Sequence, residues 1–474
     1  MSVVDGKSLM RVITLAGATG FLLFGYDQGV LSGLNTAEDF LDTFDGPSPS
    51  LLGTINAIYE IGYFVGAVNV FFVGEKLGRK RCMYLGAALM LVGAVLQASA
   101  YGTPQMIIGR IVCGWGNGFN TAVTPLWVSE LSPAKSRGRL VSVEGNLIAG
   151  GIVVAYFFNI GMSYLPPSNP VEWRVPIAFQ GVFIIAQVLL VYVLPESPRW
   201  LTKYGRHDEA LDILAQLSSR SDTIESPAAR ALKAEIDRAL ALEAADGPWR
   251  IREVFASGPL KIGRRYLLAC GLQIMQQLSG VNILVYYFPH ILTTDLAYAD
   301  RTALYISASL ALTYWVFSLI PVFSLDQMSR RKPLIWGSVI CSLSFLLVSI
   351  LSIVVGAIPS QTSKQGVGVV HPLTMQVKAG VLQQDPTTAK TKASLTWFFV
   401  FEAAFGFGWV PIPWLYAPEI MPMRHRSHCA ALSTASNWIF NYMIVQITPV
   451  AIANIRWKTS SYEGTSLKPG PIRE

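Results

Sequence analysis

Residues 51–80 read LLGTINAIYEIGYFVGAVNVFFVGEKLGRK, an apolar run that ends in the charged heptapeptide GEKLGRK (74–80). The run 51–74 is longer than the roughly 20 apolar residues that a helix needs to cross about 30 Å of hydrocarbon. A counterpart of the heptapeptide, DQMSRRK (326–332), follows another apolar run in the second half of the chain. The stretch therefore predicts a membrane-spanning helix and an internal repeat.

The composition supports a membrane protein. Hydrophobic residues make up 52% of the 474 residues and charged residues only 14%, against roughly 25% charge in typical soluble domains. The net charge of +7 comes from short basic clusters between apolar runs, not from one basic face of the kind that binds nucleic acid. We therefore expect an all-α integral membrane protein embedded in the lipid bilayer, with no nucleic-acid partner.

Further apolar runs of similar length predict eleven membrane-spanning helices in all. Their expected positions are 12–34, 51–74, 82–101, 105–128, 140–162, 175–194, 266–290, 303–325, 333–355, 394–417 and 430–455.

The distribution of positive charge predicts the orientation. Most of the 37 Lys and Arg residues lie before the first run and in alternate connections, whereas the first connection carries four acidic residues and no basic one. Cytoplasmic loops carry the excess of Lys and Arg. We therefore expect a multi-pass membrane protein with its N-terminus in the cytoplasm.

The two halves of the chain repeat each other. PLWVSE (125–130) resembles WLYAPE (414–419), and the polar stretch 195–265 separates the halves with helical spacing in 228–245. This predicts an N-terminal six-helix half (1–194), a cytoplasmic linker of short helices (195–265), a C-terminal half with five evident helices (266–457) and a polar tail (458–474). Parallel repeats of this kind are typical of secondary transporters that move about a site near the midplane.

Several motifs occur in order along the helices: GYDQG (25–29), GRK (78–80), RGR (137–139), PESPR (195–199), QQLSGVN (276–282), PIPW (411–414) and SNW (436–438). Together they resemble the sugar porter family of the major facilitator superfamily, from residue 12 to about 456. VEGN (143–146) and APEI (417–420) resemble its fungal branch, which includes sugar and glycerol proton symporters. The resemblance implies the major facilitator fold of two six-helix repeats. The twelfth helix of the family has no evident apolar run here, and 361–392 resembles nothing in the family.

The run 266–290 carries a candidate binding site. Gln273, Gln277 and Gly280 recur at helical spacing, with Gln276 and Asn282 beside them. Carboxamides are costly in a membrane unless partnered, and a polyol offers matching donors and acceptors. Hydrogen bonding between helices is the alternative.

The resemblance assigns sugar contacts to Gln276, Gln277 and Asn282, and adds Trp414 and Asn437 from later helices. Where hexose-binding relatives often have Gln in the fifth helix, this chain has Gly145, followed by the candidate residue Asn146. This departure leaves room for a different polyol or a larger ligand.

Two charged residues lie inside apolar runs, Asp27 in the first and Arg110 in the fourth. Because lone charges in hydrocarbon are strongly disfavoured, we expect the two to pair. The resemblance implies Asp27 as the proton acceptor and Arg110 as its modulator. A purely structural ion pair is the alternative.

Charged residues also cluster at the cytoplasmic helix ends, where a network could hold the halves together. This predicted cytoplasmic gate comprises Glu75, Arg79, Glu130, Arg137, Glu196, Arg199, Arg330, Glu419 and Arg426. Positive-inside anchoring alone explains its arginines but not its glutamates.

The chain shows no phosphate loop, nucleophile elbow or metal-ligand spacing, so we expect no enzyme, no cofactor and no metal site. The function predicted is transport of a monosaccharide or polyol by alternating access, coupled to protons. An uncoupled facilitator, a sugar sensor that does not transport, and a truncated inactive product remain as alternatives.

Overall fold

The computed structural model describes residues 6–132, 137–166, 169–218, 226–245, 247, 251–254, 260–294, 296, 298–324, 328–356 and 389–455. Every regular element in these ranges is helical. The first half and the linker contain α1 Gly6–Leu34, α2 Glu38–Thr43, α3 Pro49–Leu77, α4 Arg79–Ala98, α5 Thr103–Leu131, α6 Arg137–Met162, α7 Val171–Val193, α8 Pro198–Lys203, α9 His207–Ser218, α10 Pro227–Ala245 and a 3₁₀ turn at Ile251–Val254. The second half contains α11 Ile262–Leu278, α12 Val281–Thr294, α13 Asp300–Ser324, α14 Arg331–Gly356, α15 Ala389–Gly408, α16 Ile412–Ile420 and α17 Met423–Ile455.

The predicted all-α membrane fold with eleven apolar runs is confirmed. Within the described ranges, nine helical segments are long and apolar enough to cross a membrane. The remaining two runs form α5 and α17, of 29 and 33 residues. The predicted insertion at 361–392 and the polar tail at 458–474 lie outside the described residues.

Two of the eleven runs are broken, which the continuous spans of the prediction did not show. The run 266–290 divides into α11 and α12 at Ser279 and Gly280, where Gly280 has a φ of +88°. Glycine is favoured in that left-handed conformation because it lacks a Cβ atom. The run 394–417 divides into α15 and α16 before Ile412. Broken helices of this kind place backbone and polar side chains at binding sites in transporters.

Contacts between helix ends define two ends of the molecule. The start of α4 meets the segment after α7, because the backbone N–H of Arg79 donates to Glu196 at 3.2 Å. At the opposite end, the start of α7 meets the end of α4, because Arg174 donates to the carbonyl of Ala98 at 2.8 Å. We call the first the linker end, because α8–α10 follow α7 there, and the second the far end.

The two halves share one apolar core. Buried residues of α1, α3 and α6 pack in the same cluster as residues of α12, α13, α15 and α17. The closest pairings of helices between the halves are α3 with α17 and α6 with α13. The polar cavity described next lies inside this shared core.

Candidate functional site: a polar cavity between the halves

A cavity of about 450 Å³, including its part open to solvent, lies between the halves. The first half contributes mainly apolar walls, and the second half contributes most of the polar groups. Its lining includes Phe24, Gln28, Ile148, Ile152, Gln276, Gln277, Asn282, Tyr314, Trp414, Asn437 and Trp438. Five of the six residues predicted to bind substrate therefore meet in one cavity.

Asn437 of α17 ties together the carboxamides of α11. Its Nδ2 donates to Oε1 of Gln273 at 2.7 Å and to Oε1 of Gln276 at 3.0 Å. Its Oδ1 accepts from Nε2 of Gln277 at 2.9 Å. Because these side chains hold each other in fixed orientations, the donors and acceptors on the cavity wall are positioned before any ligand arrives.

The break between α11 and α12 brings Asn282 to the same network. Its Nδ2 donates to Oε1 of Gln277 and to Oδ1 of Asn441, the latter at 2.5 Å. Asn282 is 4% exposed and lies in the first turn of α12, two residues after Gly280. The carboxamides therefore hydrogen-bond between helices and also line the cavity.

Two indole rings form part of the apolar wall. The ring centroids of Trp414 and Trp438 lie 6.1 Å apart. Trp438 also lies against Tyr63 of the first half, with centroids 4.4 Å apart, and against the edge of Phe24 at 5.1 Å. An aromatic face beside fixed carboxamides suits a ligand that has hydroxyls on its rim and C–H groups on its face.

Asn146 does not line the cavity. Its Nδ2 donates to Oγ of Ser318 at 2.7 Å and to the carbonyl of Trp315 at 3.0 Å, and its Oδ1 accepts from Nε1 of Trp315 at 3.2 Å. All these partners are on α13. The structure thus gives Asn146 an inter-half contact in place of the predicted substrate contact, because its side chain is oriented by the α6–α13 packing. Gly145 faces Val410, whose Cγ1 lies 3.3 Å from the place of a Cβ atom.

Asp27 and Arg110 are buried, each 2% exposed, but they do not form the direct ion pair that the sequence predicted. Arg110 donates to the carbonyls of Ile55 and Asn56 at 3.2 and 2.9 Å, and its guanidinium lies 3.9 Å from the centroid of Tyr59.

Asp27 is held by neutral neighbours instead. Its Oδ2 accepts from Nδ2 of Asn117 at 3.2 Å and lies 4.0 Å from Sγ of Cys113. The same Asn117 amide contacts the hydroxyl of Tyr63, which stacks on the cavity residue Trp438. Carbonyl groups of α3 accept hydrogen bonds from Arg110, and Asn117 of α5 donates one to Asp27, so each charged group has its own partners. Asp27 is thus connected to the cavity wall through two side chains.

Sequence reasoning missed one buried charge next to this site. Glu60 of α3 is 0% exposed, and its Oε1 accepts from the hydroxyl of Tyr286 at 3.0 Å and from Nδ2 of Asn441 at 2.5 Å. The signal was in the sequence, because Glu60 is a carboxylate inside the apolar run 51–74 and a charge within a membrane run is a functional candidate by default. Glu144 and Glu402 share that signal and are likewise buried.

Charged residues gather at the linker end, as predicted. Arg79 makes a two-pronged ion pair with Glu130, with Nη2–Oε1 at 2.8 Å and Nε–Oε2 at 3.0 Å. Glu196 accepts from the backbone N–H groups of Arg79 and Lys80 at the start of α4. These contacts join helices of the first half to one another.

The other members of this cluster are more exposed. Glu75 pairs with Lys203 of α8 at 2.5 Å, and Arg330 pairs with Glu419 at 3.1 Å within the second half. Arg199 and Arg426 each make an interaction as well. The side chain of Arg137 lies outside the described residues. Since each ion pair named here joins elements of one half or a helix to the linker, a clasp between the halves stays a prediction.

The helices and the cavity define a multi-pass membrane protein whose two halves enclose a polar cavity. The family model for "Sugar (and other) transporter" matches residues 12–464, and the chain belongs to that family. It is 38% identical over 459 residues to the MFS-type transporter oryC of Aspergillus oryzae, covering 96% of this chain and 80% of the relative. It is 30% identical over 469 residues to the sugar transporter STL1 of Saccharomyces cerevisiae, covering 96% and 76%.

Solved structures share the fold. The proton:xylose symporter XylE bound to 6-bromo-6-deoxy-D-glucose superposes with a TM-score of 0.77 at 23% identity, over 96% of this chain and 92% of that one. A partially occluded inward-open form of XylE from E. coli gives a TM-score of 0.74 at 24% identity, over 96% and 94%. The predicted family and major facilitator fold are therefore confirmed.

Proposed function

We propose that this sugar transporter moves a monosaccharide or polyol across the fungal-type plasma membrane by alternating access, coupled to protons through Asp27. The proposal rests above all on the cavity, where Gln276, Gln277, Asn282 and Asn437 present fixed amide groups beside the Trp414 ring. A ligand with several hydroxyl groups can replace water at such groups without leaving them unpaired.

The position of the cavity supports alternating access. It lies between the halves, and contacts at the far end join them above it: Tyr156 of α6 donates to the carbonyl of Val285 at 3.0 Å, and Asn35 donates to that of Tyr286 at 3.3 Å. Rocking one repeat against the other would break these bonds and open the cavity to the far end. With the N-terminus in the cytoplasm, the far end is the outside.

Proton coupling is supported by the surroundings of Asp27. A buried carboxylate without a direct cationic partner is poised to exchange a proton when the helices around it move. Asp27 reaches the cavity through Asn117 and Tyr63, so its charge state and the cavity wall share contacts. Arg110 acts in this scheme as a nearby cation held on the carbonyls of α3.

The test is uptake of labelled D-glucose, D-xylose and glycerol into proteoliposomes with and without an inward proton gradient. We expect the gradient to stimulate uptake of at least one label, and Asp27→Asn to remove the stimulation. Uptake that is the same with and without the proton gradient would establish an uncoupled facilitator. If correctly inserted protein transported none of the labels, a sensor or an inactive product would be favoured.

A matched pair of variants tests the binding site. Gln277→Ala should raise the KM for the transported label about tenfold or more, because it removes a cavity donor and takes one hydrogen bond each from Asn282 and Asn437. Asn146→Ala removes an equally buried amide that points to α13, so its KM should stay within about twofold. Equal KM values in the two variants would contradict the assignment of the cavity.

A further inference from the structure

Glu60 lies at the junction between the two halves. Its Oε1 accepts hydrogen bonds from Tyr286 of α12 and Asn441 of α17, while its own helix α3 belongs to the first half. Within the described part of the chain, this carboxylate of one half therefore accepts its hydrogen bonds from groups of the other half. Any separation of the halves at the far end breaks both bonds.

The same carboxylate is linked to the cavity by a directed series of hydrogen bonds. Nδ2 of Asn282 donates to Oδ1 of Asn441 at 2.5 Å, and Nδ2 of Asn441 donates to Oε1 of Glu60 at 2.5 Å. Asn282 lines the cavity. A ligand hydroxyl that engages the Asn282 amide competes with its bond to Asn441, and that change reaches Glu60 through one intervening side chain.

On its other side Glu60 adjoins the cluster around Arg110. The hydroxyl of Tyr286 contacts both Glu60 and the hydroxyl of Tyr59, and the guanidinium of Arg110 lies over the Tyr59 ring. One carboxylate is therefore linked to the cavity through Asn441, and to the far-end contact and the cluster around Arg110 through Tyr286.

Packing alone does not account for a polar side chain at this position. Among the described residues, Oε2 of Glu60 is buried without a hydrogen-bond partner, and leaving a buried polar atom unpaired costs about 1–3 kcal/mol, more for a charged group. An apolar side chain would fill the site without this cost. The two bonds that Glu60 accepts across the halves are what the carboxylate provides in return.

We propose that Glu60 is a positioning residue that couples ligand binding at Asn282 to closure of the far end, through Asn441 and Tyr286. The ligand part of this inference rests on the proposed sugar site, whereas the closure part does not. Glu60 holds α12 and α17 against α3 when the far end is closed, and an altered Asn282–Asn441 bond shifts that balance.

Hydrogen–deuterium exchange of the full chain in nanodiscs tests both parts. Peptides from α12 and the first turns of α3 report opening of the far end, in buffer alone and with D-glucose, D-xylose or glycerol as probes. Glu60→Ala should speed exchange in α12 at least about tenfold without any probe. Glu60→Gln, whose carbonyl oxygen can still accept both bonds, should restore most of the wild-type protection.

Gln446→Ala is the matched control. Gln446 of α17 also bonds across to α3, donating to Oγ1 of Thr54 at 3.2 Å and to the carbonyl of Ser50 at 3.3 Å, but neither partner lies on the route to Asn282. This variant should speed basal exchange yet keep the probe-dependent change seen in the wild type. Glu60→Ala should lose that probe-dependent change.

The outcomes separate the two proposals. If Glu60→Ala exchanged at the wild-type rate without a probe, the closing role of Glu60 would be wrong. If Gln446→Ala also lost the probe-dependent change, the coupling would not be specific to Glu60, and that result too would overturn the proposal. Faster basal exchange in Glu60→Ala that Glu60→Gln reverses would uphold the closing role. If the wild type then showed no change in exchange with any probe, that result would count against the proposed sugar site.

Discussion

Removal of Arg79 tests whether the linker end is stabilised by one buried ion pair. Arg79 and Glu130 bond through two nitrogen–oxygen contacts of 2.8 and 3.0 Å, and their side chains are only 9% and 8% exposed. Breaking a buried pair by removing one partner costs about 3–5 kcal/mol, because the remaining charge stays buried and unpaired. Arg79→Ala should therefore lower the free energy of unfolding by about 3–5 kcal/mol.

Lys203 provides the control at the same end of the molecule. It pairs with Glu75 at 2.5 Å, but the two side chains are 41% and 45% exposed. Solvent screening reduces such pairs to about 0–1 kcal/mol, so Lys203→Ala should cost less than about 1 kcal/mol. That small cost should shrink further in 1 M salt, where the screening length is about 3 Å.

The measurement is equilibrium unfolding in mixed micelles of dodecylmaltoside and sodium dodecyl sulfate, followed by tryptophan fluorescence. A double-mutant cycle of Arg79→Ala with Glu130→Ala isolates the energy of the pair. If Arg79→Ala costs no more than Lys203→Ala, or if the cycle gives a coupling energy near zero, the reasoning from burial is wrong.

Three further substitutions test local features of the fold. Gly78→Ala should destabilise the protein by about 1–3 kcal/mol in the same unfolding assay. Gly78 has a φ of +86° and a ψ of 171°, and an added Cβ would lie 3.0 Å from Oε2 of Glu196. Gly205 also has a positive φ, but no described atom lies within 4 Å of its Cβ position, so Gly205→Ala measures backbone strain without crowding. Glu144→Leu should raise the unfolding free energy by about 1–3 kcal/mol, since both carboxylate oxygens are buried without hydrogen-bond partners among the described residues. A loss of stability would show that Glu144 has a compensating interaction. Gly25→Val should prevent α1 from packing on the backbone at Ile148, so that gel filtration shows little monodisperse protein; Gly161→Val, with open space around its Cβ position, should remain monodisperse.

The membrane fold was predictable because it depends on local properties. An apolar run such as 51–74 is long enough to span the bilayer whatever surrounds it. The observed helix α3 extends this run by only two or three residues at each end. The positions of Gln277 and Asn282 near the cavity followed from helical spacing and from family motifs. Trp414 and Asn437 reached the same cavity from other helices, as the family resemblance implied.

The partners of individual polar groups were not predictable in this way. Asp27 and Arg110 lie in separate helices, and the sequence gives no measure of their separation or of competing hydrogen bonds from α3 and Asn117. Asn146 follows Gly145 by one residue, yet Gly145 faces Val410 between α15 and α16 whereas the side chain of Asn146 points to α13. Such outcomes depend on how helices far apart in the chain pack together.

The sequence by itself determined that this is a helical membrane protein of two related halves, and which residues were candidates for its polar site. Only the tertiary structure decided which candidates meet, because contacts such as Glu60 with Asn441 join residues 381 positions apart. The length and the periodicity of an apolar run depend on the sequence of one helix alone. The hydrogen-bond partner of a buried charge depends on the packing of several helices at once.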